Sequence, residues 1–194
     1  MQLLAVSRRA VAGSLTILGD VAQGTGAVRY SGWGEVLPHL PHGGDAVVEE
    51  LRHAYRVPRE IMELALPLLD TIAPDVAPPI SYRTGAAPPA VRRVEREHLL
   101  AEAYREAARL AESDGLLAVI VPEQLVDEVP ADDLWNGVPV LTPRESKGLE
   151  FDHVVVVEPA LVELRELYVA LSRPTKTLVV VHARDLPAEL RYVQ

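Results

Sequence analysis

The residues best equipped for chemistry fall into four short blocks. These are Leu18-Gly-Asp-Val-Ala-Gln23, Ala54-Tyr-Arg56, Leu141-Thr-Pro-Arg-Glu-Ser-Lys-Gly-Leu-Glu-Phe-Asp152 and Leu167-Tyr-Val-Ala-Leu-Ser-Arg173. Each joins a bulky run to polar side chains, so a strand or helix would deliver those groups at its end. Arg56 and Arg173 offer planar, permanently charged forks, a shape that fits phosphate oxygens. Gly148 would let backbone pass close to a ligand. Lysine occurs only at positions 147 and 176 and phenylalanine only at 151, so Lys147 and Phe151 share the third block.

Other chemistries find no support. There is no Gly-x4-Gly-Lys-Ser/Thr, so no phosphate-cradling loop. The absence of cysteine excludes disulfides, thiolate zinc sites and cysteine nucleophiles. His39 and His42 have the spacing of a weak metal pair but lack a third ligand nearby, and no metal site is expected. Glu158 follows an apolar run as a magnesium carboxylate would. Pro159 and the missing phosphate loop favour a plain buried strand end.

Elements must position these blocks. Residues 14–18 are β-branched and end at Gly19-Asp20, so they read as a strand. Residues 23–34 are a glycine-rich loop, 33–40 a short helix and 46–51 a second candidate strand. Pro58 suits the start of a helix whose apolar face carries Ile61, Leu64, Ala65, Leu68 and Leu69, with Pro67 disturbing its end. Residues 73–89 hold five prolines and read as a stiff connection with a short strand at 80–83. Residues 95–112 are amphipathic at helical spacing. Strands at 116–121, 138–141, 154–157 and 177–182 then alternate with helices at 122–129 and 161–172. Such alternation implies an α/β fold, a parallel sheet with helices on both faces. In sheets of that kind, ligands usually sit beyond the carboxyl ends of the strands.

The chain has 194 residues and a net charge of −9, with 48% hydrophobic residues. This size suits one domain or slightly more. Its apolar runs are too short to span a bilayer and no signal peptide stands out, so a cytoplasmic protein with no membrane partner is expected. The negative balance argues against a surface that coats nucleic acid by charge alone.

Taken together, the four blocks resemble the later motifs of superfamily 1 motor ATPases of the UvrD/Rep type. The resemblance covers about residues 15–182, and residues 1–10 are similar to the stretch after the Walker B acids. It implies a RecA-like second motor domain at 46–194 and a strip of the first motor domain at 1–45; the family's helicases insert a large domain between the second and third blocks, whereas here Arg56 to Thr142 spans 142 − 56 = 86 positions and leaves no room for one. The phosphate loop and the Mg2+ ligands would lie on an upstream part, leaving the isolated chain inactive. By the resemblance, Arg173 is an arginine finger and Arg56 a second γ-phosphate ligand of ATP. Gln23 senses the γ-phosphate, while Glu150 and Gly148 line the nucleotide. Thr142, Ser146 and Tyr30 stand where the family touches nucleic acid, whereas Trp33 reads as core.

Several departures refine the resemblance. Ala54 replaces the family's asparagine, and Pro143-Arg144-Glu145 replaces its histidine. The run Tyr55-Arg-Val-Pro-Arg-Glu-Ile-Met-Glu-Leu64 looks closer to HelD-type proteins, which act on bacterial RNA polymerase. The expected partners are therefore ATP, the N-terminal RecA-like domain, and RNA polymerase and/or DNA. A UvrD-like DNA helicase and a non-catalytic binding module are the alternatives.

Overall fold

The computed structural model describes residues 15–26, 28–40, 43–85, 87–130, 135 and 137–193. The segment 1–14 and His42, on which some expectations fell, lie outside the described residues. The elements are α1 (Trp33–Val36), β1 (His53–Ala54), α2 (Arg59–Ala65), α3 (Pro67–Ile72), β2 (Ile80–Ser81), β3 (Ala90–Arg93), α4 (Leu99–Ala111), β4 (Leu117–Ile120), β5 (Val140–Leu141), β6 (Phe151–Val157), α5 (Leu164–Leu171) and β7 (Pro174–His182).

Five strands form one parallel sheet in the order β3-β7-β6-β4-β5. Valine runs explain it, because each central strand is buried on both faces. Val154, Val156, Leu178 and Val180 point into one core layer with α2, α3 and α5. Val155, Val157, Val179 and Val181 point into the other, under α4. The period of two in the strands thus divides one apolar run between two layers. This is the expected α/β fold with helices on both faces.

Pro67 interrupts the helix as expected: α2 ends before Leu66, and the proline opens α3, where a missing N–H costs nothing. Differences from the sequence reading have physical causes. Ala90–Arg93 hides behind Pro88 and Pro89 and carries two arginines, yet it forms the β3 edge of the sheet beside β7. Charges on an edge strand are ordinary because they deter further pairing. Residues 15–18 and 46–51 form no strand and join neither sheet among the described residues. Leu18, Val47 and Leu51 are left almost fully exposed.

Glu158 ends β6 with a left-handed backbone, φ 47°. Its carboxylate is buried and accepts the N–H groups of Ala183 at 3.0 Å and Arg184 at 3.2 Å. The plain strand-end reading of Glu158 holds, since it stitches the carboxyl ends of β6 and β7. Lys176, which no motif explains, pairs with Asp152 at 3.1 Å and braces the start of the same two strands.

Candidate functional site

The polar blocks converge at the amino ends of β6 and β7. Glu150 immediately precedes β6 and Arg173 immediately precedes β7. These two residues therefore lie at the edge of the sheet opposite the carboxyl ends of β6 and β7.

Arg173 is almost fully buried beyond the end of α5. Its Nε donates to Val169 O at 2.9 Å and its Nη1 to Leu149 O at 3.1 Å. Nη2 donates to Gln23 Oε1 at 3.2 Å and to Ser172 Oγ at 3.0 Å. All four acceptors are neutral. Burial draws the guanidinium below its ordinary value, and the nearby charge of Arg56 adds to that shift; Tyr168 and Asp20 oppose it. A desolvated cation beside a second cation is an arrangement that favours an anion.

Gln23 is half-buried on the loop after residue 20. Its Nε2 donates to Asp20 Oδ2 at 2.8 Å, leaving Oε1 to face Arg173. Asp20 also accepts from Ala22 N at 2.9 Å, a local turn that fixes the loop. Lys147 Nζ donates to Gln23 O at 2.6 Å, so the first and third blocks touch directly.

Arg56 forms an ion pair with Glu150, and both side chains are about half exposed. A pair so open to water adds little stability and can rearrange. The backbone under Arg56 is firmer: Arg83 Nη1 donates to Arg56 O at 2.7 Å and Ser81 Oγ to Val57 O at 2.5 Å. Sequence reading passed over the exposed aromatic face beside Arg56, where Tyr55 stacks on Tyr82 at 5.3 Å between ring centroids. Gly148 has φ 82° and open space around it, a conformation that favours glycine.

Thr142 and Ser146 lie on the loop that leaves β5. Thr142 N and Oγ1 both donate to Glu145 Oε2, at 2.8 and 2.9 Å, and these bonds hold the Glu145 carboxyl below its usual range. Ser146 is buried, with its hydroxyl donating to Pro143 O at 2.7 Å. Tyr30 is half-buried near the His39 ring at 6.2 Å. Trp33 is not part of either core layer. It lines an open apolar groove of about 770 Å3, together with Leu18, Val47, Leu51 and Tyr168. Burial raises the Tyr168 hydroxyl's pKa. Among the described residues no three His, Asp or Glu side chains form a metal cluster, and no helix is long and apolar enough to cross a membrane.

The fold is that of a helicase C-terminal, RecA-like domain. One solved structure is the C-terminal domain of a possible DNA helicase from Lactobacillus plantarum WCFS1. It aligns over 73% of this chain and 94% of that one, with a TM-score of 0.53 and 22% identity. Residues 93–182 match the family model of the viral superfamily 1 RNA helicase core domain. Weaker likenesses are the PRRSV helicase (TM-score 0.42, 18% identity, 72% of this chain) and an arterivirus nonstructural protein 10 helicase complexed with DNA (0.39, 18%, 69%). The chain spans 26% of each of those two. No curated protein sequence matches it.

Proposed function

We propose that this chain is the second RecA-like domain of a superfamily 1 motor ATPase. In this reading it completes an ATP site whose phosphate loop and Mg2+ ligands belong to a partner motor domain. Residues 1–45 would be a strip of that first domain, and 46–194 the second. The observation that carries the reading is the convergence of Arg173, Gln23, Arg56 and Glu150, drawn from all four blocks, around one buried cation with no ion pair among the described residues. The exposed apolar side chains at 18, 47 and 51 are consistent with a partner surface there.

Phosphoryl transfer needs positioning and neutralisation of charge more than covalent help. Arg173 and Arg56 would neutralise the γ-phosphate. Gln23, held by Asp20 and Lys147, would register the phosphate through the Arg173 hydrogen bond. Glu150 would exchange Arg56 for the ribose hydroxyl, beside a backbone kept open at Gly148. Mg2+, bound by the partner domain, would supply further charge neutralisation. Thr142, Ser146 and Tyr30 are proposed for the nucleic-acid side, where hydroxyl and backbone contacts position a strand without reading it.

The target we propose is an RNA polymerase–nucleic-acid complex, in the manner of HelD-type proteins. The motif run at 55–64 supports this, as does the short stretch from Arg56 to Thr142, in which the described residues form α2, α3, β2, β3, α4, β4, β5 and short 3-10 turns. A UvrD-like DNA helicase is the competing reading, favoured by the overall likeness to a possible DNA helicase domain. Purified RNA polymerase binding and duplex unwinding, measured on the protein carrying both motor domains, separate the two. Polymerase binding without unwinding is expected, and unwinding without polymerase binding would reverse the ranking. The 194-residue chain alone should leave ATP intact; steady turnover by it would defeat the shared-site reading.

A further inference from the structure

Arg165 lies in the first turn of α5 and is buried. Nη1 donates to Val21 O at 2.9 Å and Nη2 to Tyr30 O at 2.9 Å. Nη2 also donates to Ile72 O, at the end of α3. Val21 and Tyr30 bracket the loop that carries Gln23. Beyond the other end of α5, Arg173 donates to Gln23 Oε1. The helix therefore grips this loop at both of its ends. At the surface Arg29 and Glu163 close the same seam at 2.8 Å, and Glu163 also caps α5 by accepting Arg165 N at 3.2 Å.

This arrangement is an expensive way to hold a loop. A cation in a helix's first turn opposes the helix dipole. A buried guanidinium bonded to neutral carbonyls, with no ion pair among the described residues and only a weak charge interaction with Glu35, carries a desolvation cost where apolar residues would often serve stability as well. What the fork does provide is direction, since its fixed donors tie three separate carbonyls to one helix.

We propose that Arg165 is a positioning residue for ATP turnover. It fixes the 21–30 loop against α5, so that Gln23 Oε1 meets Arg173 in register. The inference rests on the roles of Gln23 and Arg173 given under the proposed function. It adds that the sensor and the finger are aligned by a third arginine that touches no nucleotide.

The test is a mutant cycle for ATP turnover in the protein carrying both motor domains. Arg165→Ala should lower kcat by about tenfold to a hundredfold, the scale of a misplaced catalytic group, with KM for ATP nearly unchanged. Arg165→Lys should recover only part of the rate, because a point charge cannot fork across three carbonyls. In the Gln23→Ala background, Arg165→Ala should cause no further loss. Full multiplication of the two single effects would overturn the proposal, as would parental kcat in folded Arg165→Ala. If Arg165→Ala fails to fold, the cycle is run with Arg165→Lys and read by the same two criteria. A slow Gln23→Ala variant with an independent Arg165 effect defeats this inference alone. Parental turnover in Gln23→Ala removes the sensor reading and this inference with it.

Discussion

Replacing Arg173 by methionine separates the two tasks an arginine could perform at this position. The side chain is 3% exposed and makes four hydrogen bonds, all to neutral acceptors. Hydrogen bonds to a charged group contribute about 1.5–3 kcal/mol each at best. Against them stands a desolvation cost of several kcal/mol for a buried ion without a close counter-charge, increased by Arg56. Truncation also leaves few stranded acceptors. Val169 O keeps Ser172 N at 3.2 Å and Ser172 Oγ at 2.9 Å. Leu149 is in an exposed turn, and Gln23 keeps its bond to Asp20. Methionine fills much of the same volume, so folding stability should change by less than about 1.5 kcal/mol, as for other buried ions replaced by apolar groups. For a chain of this length that is a shift in Tm of no more than about 6 °C. Turnover in the two-domain protein should fall by about 10³–10⁵, the range for arginine fingers. The paired assay is calorimetry on the 194-residue chain and steady-state ATPase on the two-domain protein. A collapse in Tm of about 10 °C or more, well outside the expected range, would mark Arg173 as a structural pillar. Parental turnover would remove it from the site.

Two further outcomes test the scaffold. Asp152 is held below its ordinary range, chiefly by accepting Leu116 N and then by Lys176. Its stabilisation is complete above the unfolded-state value of about 4 and is lost as pH falls through the lower folded value. Denaturant titrations of Asp152→Asn and the parent should therefore converge in acid, and a constant gap down to low pH would contradict the assignment. Gly115 has φ 136°, and an added Cβ would sit 2.5–2.7 Å from Asp152 side-chain atoms. Gly115→Ala should cost about 1–3 kcal/mol in a denaturant midpoint, the scale of enforced backbone strain; a parental midpoint would show that the turn relaxes freely.

Much of the sheet was legible because valine runs bounded by turn residues have few other uses. β4, β6 and β7 fall where the apolar patterning puts them, within a few residues. β3 escaped notice because edge strands need less apolar surface, and its arginines and preceding prolines imitate a loop. Residues 15–18 and 46–51 show the reverse: β-branched composition marks a strand only when a neighbouring strand is available. Among the site residues, Gln23, Arg56, Glu150 and Arg173 come together as their blocks suggested. Arg165 had one sequence signal, a cation in a helix's opening turn beside a capping glutamate, and that conflict becomes intelligible only once the loop lies across it. Lys147 and Lys176 resolve into a loop clasp and a strand brace, neither of which composition alone could distinguish.

Glu158 bears on how such a domain chooses its ligand. A parallel sheet commonly offers free amides at its carboxyl edge, where phosphates settle. Here the amides of Ala183 and Arg184 are already satisfied by a carboxylate from the chain itself. That internal carboxyl group occupies the place. At this junction the sheet leaves neither amide free for a phosphate, and under the proposed function a nucleotide would meet the domain at the opposite rim, beside Arg56 and Arg173.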